Sequence, residues 1–251
     1  MIISVINQKG GVGKTTTVHN LGAALGRRGI KTLLIDFDPQ GSLTEGSGKT
    51  VKNGQLMDVF NGDKKLTDVI IKGPEFDVIP ANLDLAEFDV RYSGEMGRES
   101  KLKKTLKNLD YKYVFLDCGP TLGLLTINAL VASDYILIPL QTEFYSISGL
   151  KSLNRTIDQV KAHELNDNLK TIGVLLTLFD KRKKLHRDVV DLAKNELGEN
   201  LFNTIIRSNT DVSAAPSHHM SIFDFAPSSN GSSDYNEFVE EFLERIKSNE
   251  G

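Results

Sequence analysis

The sequence predicts an α/β fold in which a mostly parallel, twisted sheet is covered by helices on both faces. Short apolar runs alternate with helical patterns along the chain. Each run is apolar at successive positions, as expected for a strand that is buried on both faces of a sheet. Turn or polar residues bound the runs, and strand–helix alternation of this kind is typical of parallel sheets with crossover helices.

Six apolar runs are predicted to be strands, and a seventh is a weaker candidate. The strands are residues 2–6, 32–35, 76–79, 113–116, 135–138 and 171–176, with 204–206 the weaker one. Helical patterns cover approximately residues 14–28, 100–109, 124–132, 146–162, 187–197 and 233–247. The least regular stretches are residues 42–75 and 207–232, and loops of that length are often functional.

Length and composition narrow the class of protein. The 251 residues suit one domain, taken as residues 1–251, and a net charge of −3 means that any nucleic-acid contact must come from a local basic patch. A single cysteine, Cys118, excludes a disulfide framework and a four-cysteine metal site within one chain. No apolar run approaches the roughly 18 residues of a membrane span. The N-terminus lacks the basic region of a signal peptide, so we expect a cytoplasmic protein.

A glycine-rich loop follows the first predicted strand, where the first predicted helix begins. Glycines let the backbone curl so that its N–H groups point at phosphate oxygens, and the helix N-terminus favours anions. In such a phosphate-binding loop (P-loop), Lys14 reaches the β- and γ-phosphates and Thr15 holds Mg²⁺. The sequence therefore predicts a P-loop NTPase fold that binds ATP and Mg²⁺. The predicted nucleotide contacts are Lys9, Gly10, Gly11, Val12, Gly13, Lys14, Thr15 and Thr16.

This loop departs from the common P-loop at two positions. Gln8 stands where the common loop has glycine, and a second lysine, Lys9, precedes the glycines. A second cation is useful where negative charge develops on the γ-phosphoryl group during transfer. We predict that Lys9 crosses into the site of a partner subunit in an ATP-bound homodimer, so that both Lys9 and Lys14 serve catalysis.

Carboxylates end two of the predicted strands. Asp36 and Asp38 follow the second strand, and Asp117 ends the fourth. Because the carboxyl ends of parallel strands meet at one edge of a sheet, these acids should face the phosphates. We predict that Asp38 orients the attacking water, that Asp36 supports the Mg²⁺ shell, and that Asp117 holds Mg²⁺ through a water molecule. Asp-Pro is also a turn signal, so a turn or cap role is the alternative for Asp36 and Asp38. Cys118 is interpreted as a small packing residue.

These segments resemble the ParA-type (Soj-like) partition ATPases of the deviant Walker A group. The resemblance continues through residues 7–17, 36–41, 116–128, 138–143, 173–182 and 215–231. It implies a weak ATPase that dimerises with ATP, binds DNA non-specifically and works over the nucleoid. It also implies a ParB-like or other cargo-adaptor protein that stimulates hydrolysis. By the same resemblance, Arg207 and Asn209 lie near the adenine.

The resemblance is weakest where DNA contact is concerned. Asp211 stands where relatives carry an arginine associated with DNA, and an acid there would repel phosphate. A second candidate surface is a run that has five cations within seven residues and no aromatic residue, which suits contact with the DNA backbone. This basic cluster consists of Lys181, Arg182, Lys183, Lys184 and Arg187. Its plainer interpretation is the solvated start of a helix.

Other functions remain as alternatives. A MinD-like membrane ATPase would end in a basic amphipathic helix, whereas the last predicted helix is rich in glutamate and its apolar stripe should pack on the sheet. An iron-protein reductase would need two cysteines per subunit. A metabolic P-loop ligase would need a small-molecule substrate for turnover. Within the resemblance, segregation of a plasmid or chromosome and positioning of a protein assembly, such as a microcompartment or chemoreceptor cluster, both stay open.

Overall fold

The computed structural model describes residues 1–51, 54–143 and 146–250. Seven strands form one sheet in the order β3-β2-β4-β1-β5-β6-β7. They are β1 (Ile2–Val5), β2 (Thr32–Phe37), β3 (Asp77–Ile79), β4 (Tyr113–Cys118), β5 (Tyr135–Gln141), β6 (Lys170–Phe179) and β7 (Leu201–Arg207). Every strand pair is parallel. The predicted sheet is therefore confirmed, including the weaker seventh strand.

Eleven α-helices connect and cover these strands within the described residues. They are α1 (Lys14–Arg27), α2 (Ser42–Gly46), α3 (Leu56–Asn61), α4 (Phe88–Arg91), α5 (Lys101–Thr105), α6 (Leu124–Ala132), α7 (Ser146–Ala162), α8 (Lys184–Leu197), α9 (Thr210–Ala214), α10 (Ile222–Phe225) and α11 (Asn230–Glu250). The six long helical patterns of the sequence are all present. Helices α6 and α7 have the predicted bounds, whereas the ends of α1, α5, α8 and α11 are shifted. The stretches predicted to be irregular contain the short helices α2, α3, α9 and α10.

Two helix boundaries differ from the sequence prediction for local reasons. Helix α5 ends at Thr105, before the predicted residue 109, and the turn after it includes Asn108 in a left-handed conformation with φ 63°. Helix α8 begins at Lys184, three residues before the predicted residue 187. A turn precedes it, closed by a 3.1 Å hydrogen bond from the Lys183 N–H to the Asp180 carbonyl oxygen.

The core lies in two layers, one on each face of the sheet. Leu33 and Ile35 of β2 face the layer that contains α6 and α7, whereas Leu34 between them faces the layer of α1 and α11. Successive side chains of a strand point to opposite faces, so a continuous apolar run supplies both layers. This explains why the strands could be predicted from uninterrupted apolar sequence and not from alternation.

Helix α11 buries its apolar stripe against the sheet, as the sequence analysis expected. Phe238, Val239 and Phe242 are 0% exposed, while Glu237 and Glu240 lie on the exposed face. Within the part of the chain that the structure describes, no helix is both long and apolar enough to span a bilayer.

Candidate functional site

A cavity of ≈480 Å³ lies at the carboxyl edge of the sheet, beside the loop that joins β1 to α1. Residues from six parts of the chain form its wall. From the loop and the start of α1 come Gly10, Gly11, Gly13, Lys14, Thr15 and Thr16; from later segments come Asp38, Gln40, Ser42, Pro120, Thr177, Leu178, Ile206, Arg207, Asn209, Val212, Ser213, Pro216 and Tyr235. Because β1 pairs with both β4 and β5, the loop lies at the centre of this edge.

The glycines of the loop give the backbone a shape that suits an anion. Gly11 and Gly13 have φ angles of 73° and 86°, which other residues adopt only with strain. No heavy atom lies within 4 Å of the position that a Cβ would occupy on Gly10 or Gly11, so the backbone there is open to a ligand. Gly13 is the N-cap of α1 and offers no side-chain cap, which leaves the first N–H groups of the helix free for phosphate.

Lys14 places a cation inside the cavity. Its side chain is buried, and its ammonium group donates a long hydrogen bond of 3.3 Å to the Lys9 carbonyl oxygen. Burial lowers the pKa of Lys14, and the nearby acidic groups of Asp117 and Asp38 oppose that shift. The remaining N–H groups of the ammonium are available to phosphate oxygens.

Asp36 and Asp117 are paired in register on the adjacent strands β2 and β4, but their surroundings differ. Asp36 is 0% exposed, and its Oδ2 accepts hydrogen bonds from the Thr44 N–H at 2.8 Å and the Thr44 hydroxyl at 2.6 Å. Asp117 is 1% exposed, and neither of its oxygens has a hydrogen-bond partner among the described residues. Burial raises the pKa of Asp36 to about 6. Burial, with the charge of Asp36, raises the pKa of Asp117 well above its usual range.

The unpartnered carboxylate of Asp117 fits a divalent cation. A buried carboxylate without a partner is costly, and a cation removes that cost. Thr15 and Lys14 are the neighbours that favour the charged form of Asp117. Hydroxyl and carboxylate oxygens are the ligands that Mg²⁺ prefers, so Thr15 and Asp117 are the residues that would hold it. Asp36 is already bonded to Thr44, and its predicted support of the metal would act through charge.

Asp38 lies between the cavity and the loop that follows β4. Its Oδ1 accepts a hydrogen bond of 3.0 Å from the Gln40 N–H. A Cβ added to Gly119 would approach the Asp38 carboxylate to 3.3 Å, so glycine at that position lets the two segments meet. Asp38 is part of the cavity wall, where a water-orienting group would act. That catalytic role stays a prediction.

Lys9 and Val12 do not belong to the cavity wall among the residues that the structure describes. The Lys9 ammonium forms an ion pair with Glu143 on the outer side of the loop, and the two side chains are 45% and 47% exposed. Val12 is buried in the core, and its carbonyl oxygen accepts a hydrogen bond of 2.9 Å from the Thr177 hydroxyl. Any contact of Val12 with the nucleotide would thus come from its backbone N–H.

The far wall of the cavity holds the two predicted adenine contacts. Asp234 of α11 fixes Arg207 through a 2.9 Å hydrogen bond from the Arg207 Nε. The Asn209 side chain caps α9 by accepting a hydrogen bond of 2.7 Å from the Asp211 N–H. Apolar side chains surround them, namely Ile206, Val212, Pro216 and Tyr235. The slot suits a flat base, and the contacts themselves stay a prediction.

Several residues of this site were missed by the sequence analysis. Thr177 binds the loop, and Glu143 holds Lys9, yet each lies more than a hundred residues from its partner. A signal for Thr177 existed, because it directly follows a predicted strand and strand ends meet at the ligand edge. No local pattern distinguishes Glu143 or Asp234 from other surface acids.

The basic cluster lies outside the cavity, and all five of its side chains are exposed. Arg182 binds both oxygens of Asp180, with distances of 2.9 Å and 2.8 Å, so its charge is partly neutralised. Arg187 donates to the Lys181 carbonyl oxygen at 2.5 Å. Asp211 lies in the first turn of α9, two residues from Asn209 at the rim of the cavity.

Cys118 packs in the core as predicted. It is 1% exposed, and burial raises its pKa to about 12. A thiol with so high a pKa is not ionised near neutral pH and is a poor nucleophile.

Comparison with known proteins adds to this geometry. A sequence model of the AAA domain family matches residues 1–171. The chain is 41% identical to the sporulation initiation inhibitor protein Soj of Bacillus subtilis, over 96% of this chain and 97% of that protein. It is 38% identical to the chromosome partitioning protein ParA of Caulobacter vibrioides, over 97% of this chain and 94% of that protein.

A solved structure from Mycobacterium smegmatis shares the fold. It is described as a cobyrinic acid a,c-diamide synthase with bound ADP and magnesium, and it superposes with a TM-score of 0.85. It is 34% identical in sequence, over 99% of this chain and 96% of that chain. The predicted P-loop fold and ATPase activity are confirmed by these matches. The chain belongs to the ParA/Soj family of P-loop ATPases.

Proposed function

We propose that this ParA-type positioning ATPase is a switch that dimerises on ATP, binds DNA non-specifically, and moves cargo with a partner protein that stimulates hydrolysis. The observation that supports the proposal most directly is the different placement of the two lysines of one loop. Lys14 is buried in the nucleotide cavity, whereas Lys9 is held outside it by Glu143. The similarity to partition proteins over nearly the whole chain supports the same function.

The chain's own residues would divide the work of hydrolysis. Lys14 and the backbone N–H groups of the loop hold the β- and γ-phosphates of ATP. Mg²⁺, when held by Thr15 and Asp117, neutralises charge on the phosphates. Asp38 orients a water molecule toward the γ-phosphoryl group. Lys9 of a second subunit adds a cation where charge develops, so a single subunit has an incomplete site and turns over slowly.

The two lysines give the sharpest test of this proposal. Lys14→Ala removes charge-assisted hydrogen bonds to phosphate, so ATP affinity should fall roughly 10- to 150-fold. Lys9→Ala should leave ATP affinity within about twofold and abolish ATP-dependent dimers, with turnover lowered by about 10³-fold or more, as for other catalytic cations supplied in trans. Nucleotide titration, light scattering and phosphate release measure these quantities.

A matched control for Lys9 is Lys31, which is also an exposed lysine in an ion pair, with Asp110. Lys31→Ala should change neither dimerisation nor turnover. If Lys9→Ala still dimerises on ATP and hydrolyses it at the wild-type rate, the proposal of a shared site is wrong.

DNA binding is tested through its dependence on salt. Each phosphate that a cation neutralises contributes about 0.9 to the log–log slope of affinity against salt. Changing Lys181, Lys183 and Lys184 to Gln should therefore lower the magnitude of that slope by about 2.7. The control is the triple change of Lys103, Lys104 and Lys107 to Gln, which removes the same charge from exposed positions in and beside α5. An unchanged slope in the first triple variant would remove the basic cluster from the proposal.

A positioning switch and a ligase can be distinguished by the molecules that stimulate ATP turnover. The M. smegmatis structure is described as a synthase, so a ligase is the second candidate. A ligase should turn over ATP faster with cobyrinic acid, whereas a positioning switch should respond to DNA and a partner protein. Proteins captured with the ATP-locked form would distinguish a centromere-binding partner from the adaptor of a protein assembly.

A further inference from the structure

A continuous path of hydrogen bonds joins the phosphate loop to the basic cluster. It begins at the Val12 carbonyl oxygen, which accepts the Thr177 hydroxyl at 2.9 Å. The Thr177 carbonyl oxygen in turn accepts the Thr142 N–H at 3.2 Å. Thr177 and Thr142 are 2% and 0% exposed, so this part of the path is protected from water.

His186 is the junction at which this path reaches the basic cluster. The hydroxyl of Thr142 lies 2.9 Å from the Nδ1 of His186, and the Asp180 N–H donates to the same Nδ1 at 3.0 Å. The carboxylate of Asp180 then accepts the Arg182 N–H at 3.0 Å. His186 is buried, although the basic residues on either side of it in the sequence are exposed.

The Nδ1 of His186 acts as a hydrogen-bond acceptor. A backbone N–H can only donate, so the Nδ1 that faces the Asp180 N–H must carry a lone pair. The Thr142 hydroxyl donates to that nitrogen or to the more distant carbonyl oxygens of Thr177 and Leu178, at 3.5 Å and 3.4 Å. His186 therefore ties the Asp180 turn to the end of β5.

The same junction adjoins the residue that holds Lys9. Thr142 precedes Glu143, whose carboxylate pairs with Lys9 and whose carbonyl oxygen accepts the Ser146 N–H at 3.0 Å. If Lys9 crosses to a partner subunit, as proposed above, Glu143 loses its cation. Glu143 is then paired with Lys9 in one state and unpaired in the other, and a difference of this kind between two states is what coupling between distant sites requires.

We propose that His186 is a positioning residue that transmits the nucleotide state of the phosphate loop to the turn at residues 180–183 and so to the basic cluster. The expectation that this coupling makes DNA affinity depend on ATP rests on the proposed function. The coupling itself is a property of the hydrogen bonds and has a readout without DNA.

Two substitutions of His186 test the hydrogen-bond acceptor of the ring separately from its volume. His186→Asn keeps an acceptor near the position of Nδ1, whereas His186→Leu fills similar space without one. Hydrogen exchange of the amides at residues 180–187 is followed with ADP and with a non-hydrolysable ATP analogue, both with Mg²⁺. Wild type and His186→Asn should show a difference between the two nucleotides. In His186→Leu that difference should vanish, while nucleotide affinity stays within about twofold and the Asp180 amide exchanges faster.

DNA affinity provides the second readout. The ratio of affinities in the ATP and ADP states should fall by about fivefold or more in His186→Leu, the lower range of typical coupling. The salt slope should not change, because no cation is lost. The Thr142→Ser and Thr142→Val pair tests the same junction from the other side and applies if His186→Leu does not fold.

The possible results are distinguishable. Nucleotide-dependent exchange that persists in His186→Leu and Thr142→Val would overturn the coupling. So would an absence of nucleotide-dependent exchange at residues 180–187 in wild type. If exchange responds to nucleotide through His186 but no variant binds DNA, the coupling stands and the proposed DNA function fails.

Discussion

Asp36 and Asp117 face each other on neighbouring strands, yet only one of them is satisfied by the protein. Asp36 accepts three hydrogen bonds, from the N–H and hydroxyl of Thr44 and the N–H of Asp38. Asp117 has no hydrogen-bond partner among the described residues. The protein thus holds the Asp36 carboxylate rigidly. It leaves the Asp117 carboxylate without a partner, which lowers the stability of the folded protein, as is common where a ligand completes a site.

This difference predicts opposite effects of the same substitution. Asp117→Asn replaces a buried ionisable carboxyl group that has no hydrogen-bond partner by a neutral amide and removes its repulsion with Asp36, so the nucleotide-free protein should gain about 1 kcal/mol, which corresponds to a Tm rise of about 2–4 °C. Asp36→Asn turns an amide N–H₂ toward the donors of Thr44 and should lower the Tm by a similar amount. Thermal unfolding without nucleotide measures both. A fall in Tm for Asp117→Asn would contradict the assigned strain, whatever its effect on ATP turnover.

The raised pKa of Asp36 also predicts how pH acts on the protein. Because the folded-state pKa of about 6 exceeds the ordinary 3.8, the folded protein binds the extra proton between these values. The stability contributed by Asp36 is therefore complete below about pH 4 and is lost as pH rises through about 6. Binding of Mg²⁺ with nucleotide favours the ionised acid, so affinity should fall up to tenfold per pH unit below about 6.

Calorimetric titration of Mg²⁺–nucleotide at pH 5 to 7.5 checks this expectation. Proton release should accompany binding near pH 6, and Asp36→Asn should remove the part that belongs to Asp36. An affinity that does not change over this range would show that Asp36 is already ionised in the free protein.

At the scale of elements, α11 contacts β7 at two places that have different consequences. Glu241 accepts hydrogen bonds of 2.8 Å from the N–H groups of Asn203 and Thr204, and thereby satisfies backbone groups on the edge strand. Asp234, nearer the N-terminus of the same helix, fixes Arg207 at the cavity. One helix therefore stabilises the sheet edge and shapes the nucleotide wall.

Substitutions on α11 should separate stability from nucleotide affinity. Glu241→Ala removes the partner of the Asn203 and Thr204 N–H groups, of which that of the buried Thr204 is left unpaired, and should cost about 1–3 kcal/mol, with ATP affinity unchanged. Asp234→Ala frees Arg207 and should weaken ATP binding about fivefold, the equivalent of one hydrogen bond. Denaturant unfolding and nucleotide titration of both variants form a matched pair. Equal loss of ATP affinity in the two variants would mean that α11 acts on the cavity only through general stability.

Long elements were predictable from the sequence, and short ones were not. The strands are continuous apolar runs because both faces of the sheet are covered, and this pattern is local. Helices α2 and α9 have five residues each, too few to form alone or to show a period. They are held by contacts with distant segments, which no short sequence window contains. In α2, the Thr44 hydroxyl accepts a hydrogen bond of 3.0 Å from the Ala81 N–H, and the Glu45 carbonyl oxygen lies 2.9 Å from the Nδ1 of His219. In α9, Val212 packs in the core layer of α1 and α11.

At the scale of the whole molecule, part of the site was predictable from the sequence and part was not. The loop, Asp38 and Asp117 were predictable because each follows a strand whose end is marked in the sequence. The ion pair of Lys9 with Glu143 and the contact of Arg207 with Asp234 were not, because they depend on contacts between segments that only the folded sheet brings together. Glu143, for instance, is 134 residues from Lys9.

The placement of α11 predicts that the protein does not bind membranes. Its apolar stripe is covered by the sheet, and the exposed face carries Glu237, Glu240 and Glu244, which anionic lipid repels. Vesicles with an anionic headgroup should not sediment this protein with either ADP or ATP. ATP-dependent sedimentation that survives high salt would revive the MinD-like alternative.

The burial of Cys118 has a practical consequence. The chain has no other cysteine, and this thiol is enclosed and stays protonated near neutral pH. Thiol-reactive dyes and spin labels should therefore leave the native protein unmodified. A cysteine introduced at an exposed position such as Lys181 or Lys103 would carry one label at a known place, without prior removal of the native thiol. The protein is thus ready for fluorescence or distance measurements that follow the basic cluster through the nucleotide cycle.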